Sequence, residues 1–337
     1  MATSPRIFPL GFPWETPDPF LFCVHHLDKY PSGNAELGPD ASLEGRSLGN
    51  DFTLRDGWRM YHGRSVPGFP AHPHCGFETV TIVTRGFCDH ADSLGAAARF
   101  GEGDVQWITT GRGLQHSEMF PLLDRQGPNT LELFQIWLNL PARGKRVEPH
   151  FKMLWKEDLP VIQKEKATIR LVAGSYDDVQ PPSPPPNSWA ANPDNRVVIA
   201  LIDLAPGAFI SLPETEEGTH RRLYLFEGTG LSISGDGAGE KTISVESGKG
   251  VELAPRACQL RSGEEPLRIL WLQGKPIDEP VAKYGPFVMN TQEEIERVME
   301  EFRATQFGGW PWQHQDPVHK RDANRFARFP NGTEIRK

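Results

Sequence analysis

The chain of 337 residues carries a net charge of -8, with 33 glycines and 31 prolines spread without a period. That excludes a collagen-like fibre and a coiled coil, and it disfavours direct nucleic-acid binding, because a net acidic chain repels phosphates. No run reaches the ~18 apolar residues of a membrane span, and the N-terminal MATSPRIFPLGFPWETPD lacks the apolar core of a signal peptide, so a cytoplasmic protein is expected, or a nuclear one in a eukaryote.

In chain order, strand signals come first. Residues 79–84 (TVTIVT), 104–109 (DVQWIT) and 131–140 (LELFQIWLNL) are β-branched or alternate apolar with polar. Gly86, Gly101, Gly103, Gly111 and Gly113 supply turns between them. Residues 167–174 (ATIRLVAG) form another strand, followed by the stiff segment 179–187 (VQPPSPPPN), a linker or an exposed loop. The pattern then repeats in 196–204, 223–227 and 267–272, with Gly228, Gly230, Gly235, Gly237 and Gly239 between them. Many short strands at regular spacing indicate a sandwich or barrel, and two similar halves suggest a duplication. The expected architecture is all-β, with domains 1–160 and 161–337. One helix closes the pattern. Thr291 and Glu294 form a capping box, and Ile295, Val298, Met299 and Phe302 make one apolar stripe. Trp310, Trp312 and Phe329 are expected to anchor the tail. Cys23, Cys75, Cys88 and Cys258 form no CxxC pair and read as free thiols.

Eight of the eleven histidines lie in the first 150 residues, so a metal site belongs there. In His72-Pro73-His74 an extended backbone points both imidazoles to one face, and Pro73 keeps His72 extended. His116-Ser117-Glu118 repeats that spacing 42 residues after His74. Two adjacent strands then present His72, His74, His116 and Glu118 together. Three neutral nitrogens and a carboxylate suit Fe, Mn, Ni, Cu or Zn. Four protein ligands also leave coordination positions open on a five- or six-coordinate ion, unlike a closed structural site.

The stretch GFPAHPHCGFETVT, from Gly68, resembles the first cupin motif. GEGDVQWITTGRGLQHSE, from Gly101, resembles the second, with Gly111 where proline is usual. Together, HPHxGFETVT and GDxQWxTxGRGxxHxE are similar to the pirin family, as is the GPFVMNT segment from Gly285. The resemblance runs from about residue 5 to residue 308. It implies a bicupin: two tandem jelly-roll-like barrels, with a C-terminal helix. The metal, typically iron, would sit in the first barrel on His72, His74, His116 and Glu118. It implies two roles. One is a quercetin 2,3-dioxygenase type of enzyme, taking a small aromatic substrate and O2; in such a reaction Glu118, if it loosens from the metal, could accept the substrate's proton as general base. The alternative is an iron-binding, redox-sensitive transcription co-regulator acting through protein partners. A monomer is the family default.

Other residues weigh less. Glu78, four after His74, shares its face by parity and is a weaker ligand candidate, with a structural hydrogen bond as its other reading. Cys75 stands where pirins often carry Arg, and its parity points it away from the metal. Arg112 suits a turn or salt bridge, and Phe77 and Trp107 suit barrel packing. His220 falls near the first-motif position of the second half but has no HxH partner, so no metal is expected there.

Overall fold

The computed structural model describes residues 5–235 and 242–337; Gly237 and Gly239 of the sequence reading lie outside them. The chain divides into two compact units. One comprises Met1–Cys23 with Glu157–Asp278, the other Val24–Lys156 with Glu279–Lys337. The division thus departs from a simple cut at 160/161: each unit takes one terminal segment from the far end of the chain. Strand pairing is the physical reason. Arg6–Pro9 pairs with Lys249–Leu253, and Phe326–Arg328 pairs with Ala97–Gly101.

Each unit is a pair of antiparallel sheets around an apolar core. In the Val24–Lys156 unit the five-stranded sheet runs His150–Leu154, Val105–Thr109, Phe77–Arg85, Asn129–Asn139, Phe20–Tyr30. Its six-stranded sheet runs Glu334–Arg336, Phe326–Arg328, Ala97–Gly101, Phe87–Asp92, Leu114–Met119, Gly68–His74. Val83, Ile108 and Leu133 from the first meet Phe100, Ala98 and Leu114 from the second in one buried cluster.

In the other unit seven strands run Arg6–Pro9, Lys249–Leu253, His220–Glu227, Leu267–Gly274, Val198–Leu204, Ala167–Ala173, Val161–Lys164. Four more run Phe209–Leu212, Cys258–Arg261, Leu231–Gly235, Ile243–Val245. The proline-rich 179–187 segment is a loop inside this unit. Alternation along His220–Glu227 and Leu267–Gly274 sends Leu223, Leu225, Ile269 and Trp271 inward.

The helix forms where the sequence places it, at Gln292–Thr305. The Thr291 hydroxyl accepts from the Glu294 amide, and the Glu294 carboxylate reaches back to the Thr291 amide. Its buried Ile295 and Val298 pack on Phe287, Met289 and Cys75. No helix among the described residues is long and apolar enough to cross a membrane.

Candidate metal centre

The strand Gly68–His74 pairs antiparallel with Leu114–Met119, and the register sets His72 directly opposite His116. His74 shares the face of His72 two residues on. The ring centroids lie 4.7 Å (His72–His74), 4.5 Å (His72–His116) and 4.9 Å (His74–His116) apart. One nitrogen from each ring falls within 4.8 Å of the others. His74 and His116 are buried, and His72 is half-buried.

The nitrogens are in the form that a cation needs. His72 Nδ1 lies 2.9 Å from the Pro70 carbonyl, which can only accept, so the proton sits on Nδ1 and Nε2 keeps its lone pair. Burial lowers His72 to about 4. Burial, reinforced by the neighbouring imidazoles, puts His74 and His116 well below the ordinary histidine range. Three uncharged imidazoles therefore face one point at neutral pH. His74 Nδ1 and both nitrogens of His116 are buried with no hydrogen-bond partner. Buried imidazole nitrogens are ordinarily satisfied, and a metal ion between these rings would take one nitrogen from each. The residues fit the group.

Glu118 stands beside the three rings. Its Oε2 lies 3.8 Å from His116 Nε2. Oε1 accepts from the Thr81 hydroxyl at 2.9 Å and Oε2 from the Gln135 amide at 2.7 Å. Burial raises its pKa, and the Thr81 hydrogen bond opposes that rise most.

His90 was not singled out in the sequence, although His90-Ala91-Asp92 repeats the same i, i+2 spacing. His90 pairs across the strands with Glu118, and Asp92 with His116. The His90 ring lies 5.6 Å from that of His116, and its Nε2 lies 3.2 Å from Asp92 Oδ2. The polar surroundings of the cluster therefore extend onto a third strand.

Glu78 goes elsewhere. Gly76 turns the chain at φ +88, which resets the alternation that parity assumed to continue from His74. Thr81 reaches Glu118, so Glu78, an odd number of residues away on the same strand, faces the other side of the sheet. There it accepts from the Thr109 hydroxyl at 2.6 Å. Cys75 is buried, its thiol donating to the Gly111 carbonyl at 3.3 Å, and burial pushes it up to about 11. Cys23, Cys88 and Cys258 are also buried free thiols. Arg112 forms an exposed ion pair with Glu148 at 3.0 Å. Trp107 and Phe77 are fully buried, and the Phe77 ring sits 5.2 Å from His74. Gly111 has φ +47, and a Cβ there would fall 2.1 Å from the Val147 carbonyl. Proline cannot adopt that angle, which explains the departure from the usual motif. His220 Nδ1 meets the Asp18 carbonyl at 2.7 Å.

The segment after the helix crosses the ligand-bearing strands. Gln115 Nε2 donates to the Gln306 carbonyl at 2.8 Å, the Ala71 amide to the Gln315 carbonyl at 2.6 Å, and Trp312 Nε1 to the Asp92 carbonyl at 2.8 Å. The half-buried Phe69, His72, Gln135 and Trp137 mark the side on which the cluster approaches solvent.

Comparison with known proteins agrees with this geometry. A family profile described as Pirin matches residues 41–138, and one described as Pirin C-terminal cupin domain matches residues 199–308. A Pseudomonas aeruginosa protein provisionally named a quercetin 2,3-dioxygenase is 34% identical over 239 residues, covering 71% of this chain and 79% of that one. A pirin-like protein of Solanum lycopersicum is 33% identical over 280 residues, covering 80% and 88%. The crystal structure of a quercetin 2,3-dioxygenase from Acinetobacter baumannii aligns with a TM-score of 0.66 at 26% identity, over 87% of each chain.

Proposed function

The chain belongs to the pirin family, and on that premise we propose that its histidine-bearing unit is an iron-dependent dioxygenase centre that opens a flavonol of the quercetin type. His72, His74 and His116 would hold the ion through neutral nitrogens, with Glu118 as the fourth ligand. When bound, the metal supplies a Lewis acid that acidifies a chelating hydroxyl and offers open coordination positions.

The chain's own residues supply the rest. The His116 ring is pinned in a packed wall between His74 and His90. Glu118 is the proton acceptor for the substrate hydroxyl, at the carboxylate that Thr81 and Gln135 hold in place. Phe69 and Trp137 flank the approach, 6.3 Å from His72 and 5.4 Å from His74, with Lys283 Nζ 5.0 Å from the Trp137 ring. The backbone contacts of Gln306 and Gln315 help shield the strands behind the site from water.

The observation that carries this reading is the convergence of three uncharged imidazoles, His72, His74 and His116, of which His74 and His116 keep buried nitrogens without a partner. The names of the relatives direct it toward a flavonol. The test is metal analysis of the purified protein together with O2 uptake on quercetin, repeated for His116→Ala. Stoichiometric iron and uptake that vanishes in the variant are expected. Iron without uptake would refute the dioxygenase and leave the metal site standing. Failure to take up any metal on reconstitution would refute the site.

A further inference from the structure

The unit without the histidine cluster holds a cavity of about 690 Å3 whose wall includes Arg221, Trp271 and Gln273. All three project from the inner face of the seven-stranded sheet, where Arg221 lies opposite Gln273 and Leu223 opposite Trp271. Beyond them the interior is apolar, formed by Ala200, Leu223, Leu225 and Ile269.

Arg221 is fully buried. Its Nε donates to Gln273 Oε1 at 2.7 Å, Nη1 to the Arg256 carbonyl at 2.9 Å and Nη2 to the Pro213 carbonyl at 2.7 Å. All three acceptors are neutral. No carboxylate among the described residues pairs with this guanidinium. Its peers differ. Arg222, next in the chain and on the opposite face, meets Glu252 at 2.7 Å and Glu15 at 3.2 Å. Arg99, fully buried in the other unit, is gripped by Asp89 through two bonds of 2.7 Å. A buried charge is ordinarily paired, because its desolvation is costly.

A second donor stands beside it. Trp271 is 1% exposed, and its indole N–H is buried without an acceptor. The Arg221 guanidinium carbon lies 5.8 Å from the Trp271 ring. A buried N–H with no acceptor is unfavourable, and both donors border one cavity of ligand size.

We propose that this cavity binds a small organic monocarboxylate, whose carboxylate accepts from Arg221 and Trp271 Nε1 and whose apolar body rests on Val198, Pro181 and Pro213. The planar guanidinium matches a carboxylate in shape as well as charge. Glu214 and Glu216 line the same cavity with Arg196, which pairs with Glu216 at 2.5 Å, so that the charge of Glu214 is left to oppose a phosphate dianion more than a monoanion. The site is independent of the metal reading.

The experiment is calorimetric titration of the whole 337-residue chain with benzoate, with its neutral analogue benzamide, and with inorganic phosphate. Benzoate is expected to saturate at one site per chain, and benzamide to bind far more weakly. Arg221→Gln should weaken benzoate roughly ten- to a hundredfold, and Trp271→Phe, which keeps the ring and removes the N–H, roughly two- to tenfold. If Arg221→Gln fails to fold, Trp271→Phe and the benzoate–benzamide pair still decide the matter. Benzoate could also ligate a metal in the other unit, so the titration is repeated with His116→Ala, where binding should persist. The proposal is overturned if benzoate does not saturate, if benzamide binds equally, or if phosphate displaces benzoate at comparable concentration. It is also overturned if binding is lost in His116→Ala and retained in Trp271→Phe.

Discussion

The two barrels share a double-sheet plan and differ in what they put inside it. In the seven-plus-four-stranded unit the interior is an apolar cluster with Arg221 and Gln273 at one end. In the other, His74, Thr79, Thr81, His90, Asp92, His116, Ser117 and Glu118 are all buried on the strands around the cluster. Measured back from the turn glycines Gly86 and Gly228, Thr81 and Leu223 occupy matching strand positions. Thr81 lies opposite Gln135 in one unit, and Leu223 opposite Trp271 in the other. The pair that orients Glu118 is thus replaced by a pair that fills space. A barrel can be made stable or made chemical at the same positions. The chemical one has given up apolar burial and relies on its polar partners for compensation, to which a bound cation would add.

Removing the cation is the strongest way to break that contrast. His116→Ala, or chelation, should abolish O2 uptake and lower the unfolding midpoint of the histidine-bearing unit only. A metal present at 1,000 times its Kd contributes about 4 kcal/mol. Calorimetry that showed both transitions falling together would break the comparison. The converse substitution is Leu223→Ala in the apolar barrel. It should cost about 2–5 kcal/mol of stability and leave metal content unchanged, as read by denaturant unfolding and metal analysis.

The pH dependence sharpens the contrast further. Asp28 accepts from Tyr61 and Arg59 in the histidine-bearing unit, and burial lifts it from an ordinary 3.8 to about 6. A raised carboxyl pKa means that the contribution is fully present below 3.8 and is lost as the pH rises through 6. A lift of about two pH units corresponds to about 3 kcal/mol. Asp28→Asn should remove that fall between pH 4 and pH 7 in a stability–pH curve, and leave the other unit's curve alone. The smallest effect is expected from Thr291→Ala, which removes the helix cap at a cost of about 1 kcal/mol. Helix content and metal occupancy should both survive it.

Much of this was legible in the chain. The i, i+2 spacing of His72 and His74, and of His116 and Glu118, encodes a shared face once both segments are extended, and the register brings the three imidazoles together. The capped helix was equally plain, because capping and stripe are local signals. The face of Glu78 was not, because alternation holds only within one uninterrupted strand and Gly76 interrupts it. His90 escaped because its role comes from cross-strand pairing with Glu118 rather than from spacing to the other histidines. The exchange of terminal segments between units was invisible for the same reason: short strands such as Phe326–Arg328 have no periodicity long enough to show which sheet they join.

That exchange has a consequence in time. Arg99, already salt-bridged to Asp89, also donates to the carbonyl of Lys320, 221 positions further along, and the strand Phe326–Arg328 completes the pairing of Ala97–Gly101. At about 5–20 residues per second on the ribosome, the histidine strands wait on the order of 10–40 s for these partners. Meanwhile the other unit has received its last residue, Asp278. The barrel begun early receives its strand Phe326–Arg328 only after the other unit has its full complement of strands.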